Sequence, residues 1–210
     1  MAVLSIRIIG DPVLRTPSAE VTGFGPELAK LVADMTETMD DVHGAGLAAP
    51  QVGISLRVFT FRIDDAAGYV VNPVLDVGTE VSPEETEGCL SIPGLGYPVE
   101  RANWARVTGV DVHGDPVEYE GTGMLARCFQ HETDHLNGSL YIERLAGEHR
   151  KAAMRAIRSS TYSAVADRTA RERSQTIGSS FGFGSPSARP AAQPTGSASG
   201  RASGRGTRQP

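Results

Sequence analysis

No stretch of this sequence approaches the ~18 uncharged apolar residues that a membrane-spanning helix needs. The apolar opening from Met1 is interrupted by Arg7 and Asp11 before it could form the core of an export signal. A cytoplasmic protein, off the membrane, is therefore the expectation. Cysteine is scarce as well. Only Cys89 and Cys128 are present, and without an export signal they read as metal-binding or packing residues rather than a disulfide. The chain has no basic surplus: its formal net charge is −5, which excludes wholesale attraction to nucleic acid or anionic lipid. Repeats are absent too, and 210 residues at 40% hydrophobic support one buried core rather than two.

The residues that are there fall into an ordered pattern. From Pro26 the apolar side chains Leu28, Leu31, Val32, Met35, Met39 and Val42 recur at helical spacing, with Gly44 just past the end. Beyond them lie short runs rich in β-branched and aromatic residues, over 54–63, 69–71, 74–81, 105–112 and 117–119. Asp64-Asp65, Asn72-Pro73, Pro83 and His113-Gly114-Asp115-Pro116 punctuate these runs as turns, so the middle of the chain reads as mostly antiparallel sheet. A second helix is expected from Gly123 to Leu136, with Thr122 as N-cap and Asn137-Gly138 as the stop. A third, rich in Lys and Arg, should run from Glu148 toward Arg168. The order helix, sheet, helix predicts an α+β fold, with mostly antiparallel β-sheets around a central helix, occupying residues 1–168. Residues 174–210 turn to Ser, Gly, Pro, Ala and Arg with no acidic residue, a composition that predicts disorder. Arg189, Arg201, Arg205 and Arg208 give this tail +4, leaving −9 on the remainder.

Chemistry concentrates on the second helix. His131 and His135, four residues apart, stand one above the other and can aim two imidazoles at one metal ion. Glu132, next to the first of them, lies where a carboxylate can act as a base without ligating. The same spacing also fits two histidines on an ordinary amphipathic helix, so a third ligand decides the matter. A histidine six residues past His135 would mark one protease pattern, but Tyr141 stands there. Glu143 and Glu148 are acidic alternatives. Cys128 lies seven residues before His135, roughly 10.5 Å along the axis, too far for one ion to reach both, and reads instead as a small apolar wall. Cys89, in Glu87-Gly88-Cys89-Leu90-Ser91, is the stronger candidate because a thiolate binds such ions well and can arrive from a separate segment. His43, His113 and His149 are read as helix-end, turn and surface residues without chemistry.

Three segments together then resemble the signature motifs of the peptide deformylases, in order and at fitting separations. They are Gly44-Ala45-Gly46-Leu47-Ala48-Ala49-Pro50-Gln51, Glu87-Gly88-Cys89-Leu90-Ser91 and Gln130-His131-Glu132-Thr133-Asp134-His135-Leu136. The opening Ile9-Gly10-Asp11-Pro12-Val13-Leu14-Arg15 and Val71-Asn72-Pro73 are similar to that family as well. The resemblance implies one Fe(2+) per chain held by Cys89, His131 and His135, a ligand set that zinc, nickel or cobalt also accepts. It implies Glu132 as general acid/base for hydroxide attack on a formyl group, with Gln51 and the backbone N–H of Leu90 facing the oxyanion. The substrate would be a nascent formylmethionyl polypeptide. Its methionine would meet Met124, Leu125 and Cys128 together with the Gly44, Ala45, Gly46 and Leu47 loop, and the following residues would add as a strand along Gly44-Ala45-Gly46. Many members of the family carry a basic residue a few positions after the proline matched by Pro93, where this sequence has Gly94-Leu95-Gly96-Tyr97. The cationic tail suits transient contact with the ribosome, and nothing points to DNA or membrane as partners. The competing readings are a metal-dependent endopeptidase on the same histidine helix and a binding protein with a closed, structural metal site.

Overall fold

In a computed structural model, which describes residues 2–82 and 85–179, the apolar stripe that follows Pro26 becomes α1 (Pro26–Asp41). Leu28, Val32, Met35 and Met39 are buried along it. His43 closes the end with a left-handed φ of 53°. β1 (Gly46–Ala48), β2 (Val58–Ile63) and β3 (Ala66–Val77) follow. Next come a hairpin of β4 (Glu85–Cys89) and β5 (Ile92–Val99), then β6 (Trp104–Val110), β7 (Pro116–Thr122) and α2 (Gly123–Leu136). The first three strands and the last two form one sheet in the order β1-β2-β3-β6-β7, antiparallel throughout.

Period-2 alternation along β2 explains the layering. Val58 and Thr60 point to the face covered by α1, where the Thr60 hydroxyl lies 3.6 Å from Met39 Sδ. Phe59 and Phe61 point to the other face and meet α2 through Phe129, with ring centroids 6.3 and 5.1 Å away. β2 is thereby buried on both sides, and α2 sits centrally between the sheet and the β4–β5 hairpin. A separate apolar cluster of Ile92, Val99, Tyr141, Leu145, Ala153, Tyr162 and Ala166 holds that hairpin against α3 (Gly147–Ile157) and α4 (Ser160–Ser179).

The antiparallel α+β architecture agrees with the sequence reading, while four details differ. β3 runs straight through Asn72-Pro73, where the sequence predicts a turn. Asn72 takes a φ of 51° at a register shift, and its side-chain amide both donates to and accepts from the backbone of Val21, so the break is absorbed as a bulge. The β4–β5 hairpin is a sheet that the strand signals do not announce. The third helix is two helices, divided at Ser159, whose hydroxyl accepts from the Tyr162 N–H at 3.1 Å and starts α4. α4 also continues past residue 174, where the change in composition places the start of the tail. Pro83 and residues 180–210 lie outside the described residues.

Phe129 of α2 is fully buried against the sheet, whereas Val74 is 67% exposed. Phe129→Ala should therefore cost about 3–5 kcal/mol of unfolding free energy by denaturant titration. Val74→Ala should change it by less than ~0.5 kcal/mol.

Candidate metal centre

Successive turns of α2 bring His131 and His135 onto the face that looks at the β4–β5 hairpin, with ring centroids 4.9 Å apart. Cys89 comes to them from the end of β4, at the register shift beside Gly88. The ligand atoms of Cys89, His131 and His135 all lie within 4.8 Å of one another, and Cys89 Sγ is 3.2 Å from His135 Nε2. Around a tetrahedral ion, bonds of the usual length to sulfur and nitrogen put ligands roughly 3.5 Å apart, so these three residues fit a divalent metal. Neither Glu143 nor Glu148 joins them. Glu143 pairs with Arg15, and Glu148 with Lys151.

The surroundings suit ligation. His131 shares a 2.6 Å hydrogen bond with Glu87 through Nδ1, which leaves its Nε2 for the ion. Burial works against charging His131, but contacts with Cys89 and Glu87 carry its pKa well above the ordinary imidazole range. The same anionic pull that retains a proton there attracts a metal cation in its place. Burial, reinforced by the charge on His131, holds His135 well below that range, so it is neutral and has a lone pair to give.

Glu87 is in turn embedded in charge. Burial alone would raise its pKa, yet hydrogen bonds from Arg101 and His131 hold its carboxyl well below the usual range. Arg101, with no exposed side-chain surface, reaches Glu87 with Nε at 2.9 Å and Asp134 with Nη1 at 2.7 Å. Arg127 adds a bond to Glu87 at 3.1 Å, and Arg144 grips Asp134 with two bonds of 2.6 Å. Sequence reasoning passes over Arg101, Arg127 and Arg144, because nothing local distinguishes a buried arginine from a solvated one. The acids they meet, Glu87 and Asp134, are visible inside the motifs.

Glu132 stands beside the ligands, 3% exposed, with its Oε2 lacking a hydrogen-bond partner among the described residues. Burial pushes its pKa up to about 7, with the charge on His131 opposing that rise. Its carboxylate lies so close to β1 that a Cβ on Gly46 would fall 2.8 Å from Glu132 Cδ and 2.9 Å from Cys128 Sγ, so only glycine leaves the acid in place. Gln51 is 1% exposed and fixed by a bond from the Ala48 N–H to its Oε1 at 2.8 Å. Its Nε2 points at Cys89 Sγ, 3.7 Å away, and at Ser91 Oγ, 3.3 Å away. The N-terminal segment ties these two loops together, since Arg7 N–H donates to the Gln51 carbonyl and Ile9 N–H to that of Ser91.

A cavity of about 650 Å3 opens over the cluster. Gly44, Ala45, Gly46, Gln51, Leu90, Met124, Cys128 and Glu132 are among the residues that line it. Leu47 and Leu125 do not. Alternation along β1 turns Leu47 into the core beneath α1, and Leu125 packs on Gly121 of β7. Two residues with no motif to announce them complete the wall, Thr169 and Arg173 of α4.

Comparisons with known proteins agree with this geometry. Residues 3–151 match the family model described as polypeptide deformylase. A peptide deformylase of Acidothermus cellulolyticus is 55% identical over 162 residues, covering 77% of this chain and 89% of that one. One from a Parafrankia species is 51% identical, covering 78% and 90%. Among solved structures, the peptide deformylase of Thermus thermophilus superposes with a TM-score of 0.71 at 42% identity, over 81% of this chain and 99% of its own. That of Legionella pneumophila gives 0.71 at 36% identity, over 83% and 99%.

The charge network predicts a specific failure. Arg101→Ala removes the buried cation that Glu87 and Asp134 share, leaving Glu87 to Arg127 and His131 and Asp134 to Arg144, and equilibrium unfolding should show a loss of about 3–5 kcal/mol. Because Glu87 then orients His131 from a less firmly anchored carboxylate, metal affinity measured by competition with a chelator should weaken roughly 10–100-fold.

Proposed function

This chain belongs to the polypeptide deformylase family and is a metal-dependent hydrolase with peptide deformylase activity, and from that premise we propose how its residues divide the work. It acts on formylated nascent peptides. The observation that carries the division of roles is the convergence of one thiol and two imidazoles with a carboxylate left unpartnered at their side.

Cys89, His131 and His135 hold the ion, which we take to be ferrous in the native protein, one per chain. When bound, the ion supplies Lewis acidity that brings the pKa of water down toward ~7. Glu132 accepts a proton from the water that attacks the formyl carbon, and its burial keeps it basic enough for the task near neutral pH. As the C–N bond breaks, the same carboxyl group returns the proton to the leaving amine, so formate and a free amino terminus result. The Gln51 side-chain N–H and the Leu90 backbone N–H face the carbonyl oxygen as it gains charge, in a site lined by Cys128 and Leu90. Met124 and Cys128, with Gly44, Ala45 and Gly46, receive the methionine side chain. The peptide beyond it extends along the free edge of β1, the last strand of its sheet, using main-chain hydrogen bonds that ignore sequence. The endopeptidase reading shares the histidine helix but lacks the third histidine of that pattern, and the structural-site reading needs a fourth protein ligand that is absent among the described residues.

Among the described residues no helix is long and apolar enough to cross a membrane. We place the protein in the cytoplasm, beside the ribosome, with the arginines of residues 180–210 supplying a weak attraction to ribosomal RNA.

Two measurements test this reading. Glu132→Ala, prepared anaerobically, should retain its iron by elemental analysis while formate release from a formyl-methionyl peptide drops by roughly 10²–10⁴. Undiminished turnover, or cleavage of denatured casein by the wild type, contradicts it. Removing residues 180–210 should weaken cosedimentation with ribosomes at low salt and make no difference at high salt; identical binding of both forms at every salt concentration rules the tail out.

A further inference from the structure

The first two turns of α4 are held by packing, because Tyr162 and Ala166 are buried in the cluster around Ile92 and Leu145. Val165 reaches Gly94, where an added Cβ would lie 3.2 Å from its Cγ1. Continuing along the same face by steps of three and four residues, Thr169 and Arg173 arrive at the cavity. There the Arg173 Nη1 donates to the Leu90 carbonyl at 2.9 Å. Leu90, whose Cδ1 lies close to Gly44 just ahead of β1, thus meets α4 through its oxygen.

A guanidinium offers five N–H donors in a planar fork, and the bond to Leu90 uses one. Arg127, the other arginine on the cavity wall, is bonded to Glu87 and to the Val99 carbonyl. Glu87 is paired with Arg101, Arg127 and His131, and Glu132 stands over the metal ligands. A peptide laid along β1 hydrogen-bonds through one of its edges only, and its other edge presents carbonyl oxygens toward the opposite wall. That wall is α4. Gly94 of β5 contributes no side chain there, and the cation beside it comes from the helix.

We infer that Arg173 is a substrate-binding, specificity-determining residue: its guanidinium holds a main-chain carbonyl oxygen of the peptide just beyond the formyl-methionine. The positive charge then also favours an acidic over a basic side chain at the neighbouring position. This rests on the deformylase reading and adds to it that the C-terminal helix is part of the active site.

The test compares the iron-loaded wild type with Arg173→Ala and Arg173→Lys on formyl-Met-Ala-Ser, on formyl-methionine amide, and on the pair formyl-Met-Ala-Glu and formyl-Met-Ala-Lys. Losing a charge-assisted bond to the peptide should raise the KM for formyl-Met-Ala-Ser about tenfold in Arg173→Ala, with kcat within about twofold. On formyl-methionine amide, which ends before the proposed contact, the increase should be far smaller. Arg173→Lys should recover part of the loss, and the Glu-over-Lys preference of the wild type should shrink in Arg173→Ala. Calorimetric affinity for the unreactive product Met-Ala-Ser should fall in parallel. Equal KM values for wild type and Arg173→Ala overturn the inference, and so does an equal rise on the truncated substrate. If Arg173→Ala proves unfolded by circular dichroism, Arg173→Gln is judged by the same criteria. A wild type that releases no formate defeats the activity itself, whereas an active wild type indistinguishable from the variants defeats only the role of Arg173.

Discussion

A single carboxylate, Glu87, is the point on which the site depends. It is 5% exposed and lies at the meeting of three segments. It belongs to β4, it is gripped by Arg101 from the approach to β6 and by Arg127 from α2, and it orients His131. An ion buried so deeply costs several kcal/mol in lost hydration, and mutual attraction offsets that cost only when every partner stays in place. The network extends through Arg101 to Asp134 and Arg144. With Glu85, which Arg127 reaches at 3.6 Å, its three guanidinium groups meet three carboxylates behind a site built from a thiol and a further acid. Metal ligation and the closure of the hairpin onto α2 are therefore one structural event.

The metal ligands are legible in the sequence because their geometry is local. Two histidines at helical spacing can be placed relative to one another from the helical rise alone, and Cys128 is set aside by the same arithmetic. Cys89 needs a chemical argument and a family resemblance, since nothing in its own segment says that β4 turns toward α2. The hairpin itself is hidden for a reason visible in its composition. Pro93, Gly94, Gly96 and Pro98 have the look of a loop, yet β4 and β5 pair over five positions and Gly96 sits where a Cβ would press on Thr86. Buried arginines are illegible altogether, because their prior places them in water and only long-range acids reverse it. Leu47 shows the opposite error. It sits inside a motif that lines the cavity, but strand alternation sends every second side chain to the other face.

Burial is applied unevenly around the ligands, and this separates the roles of the two acids in the site. Glu87 has every oxygen engaged by a cation and stays ionised, so it can only orient. Glu132 has one oxygen engaged by nothing within the described residues, and desolvation brings it to about 7, where it can give and take protons. The close approach of Gly46 and Cys128 supports this division, for neither offers Glu132 a strong donor that would fix its charge. The Cys128 thiol, itself raised well above its usual range by burial, donates instead to the Ala45 carbonyl at 3.5 Å.

The C-terminal helix changes how the far end of the chain should be understood. The packing of Tyr162, Val165 and Ala166 against the hairpin fixes α4 in direction as well as position, so its course beyond Arg173 is set by the same contacts that build the cavity wall. Ser179, the last residue of α4, lies about 9 Å along the axis from Arg173. The arginines of residues 180–210 follow in the chain from that point. An attraction between that segment and polyanionic RNA would act at the mouth of the site, where a raised local concentration of substrate shortens the search for a formylated terminus. Specific contact and non-specific capture would then be divided along the chain, with Arg173 of α4 reading the peptide and the arginines after Ser179 supplying the attraction.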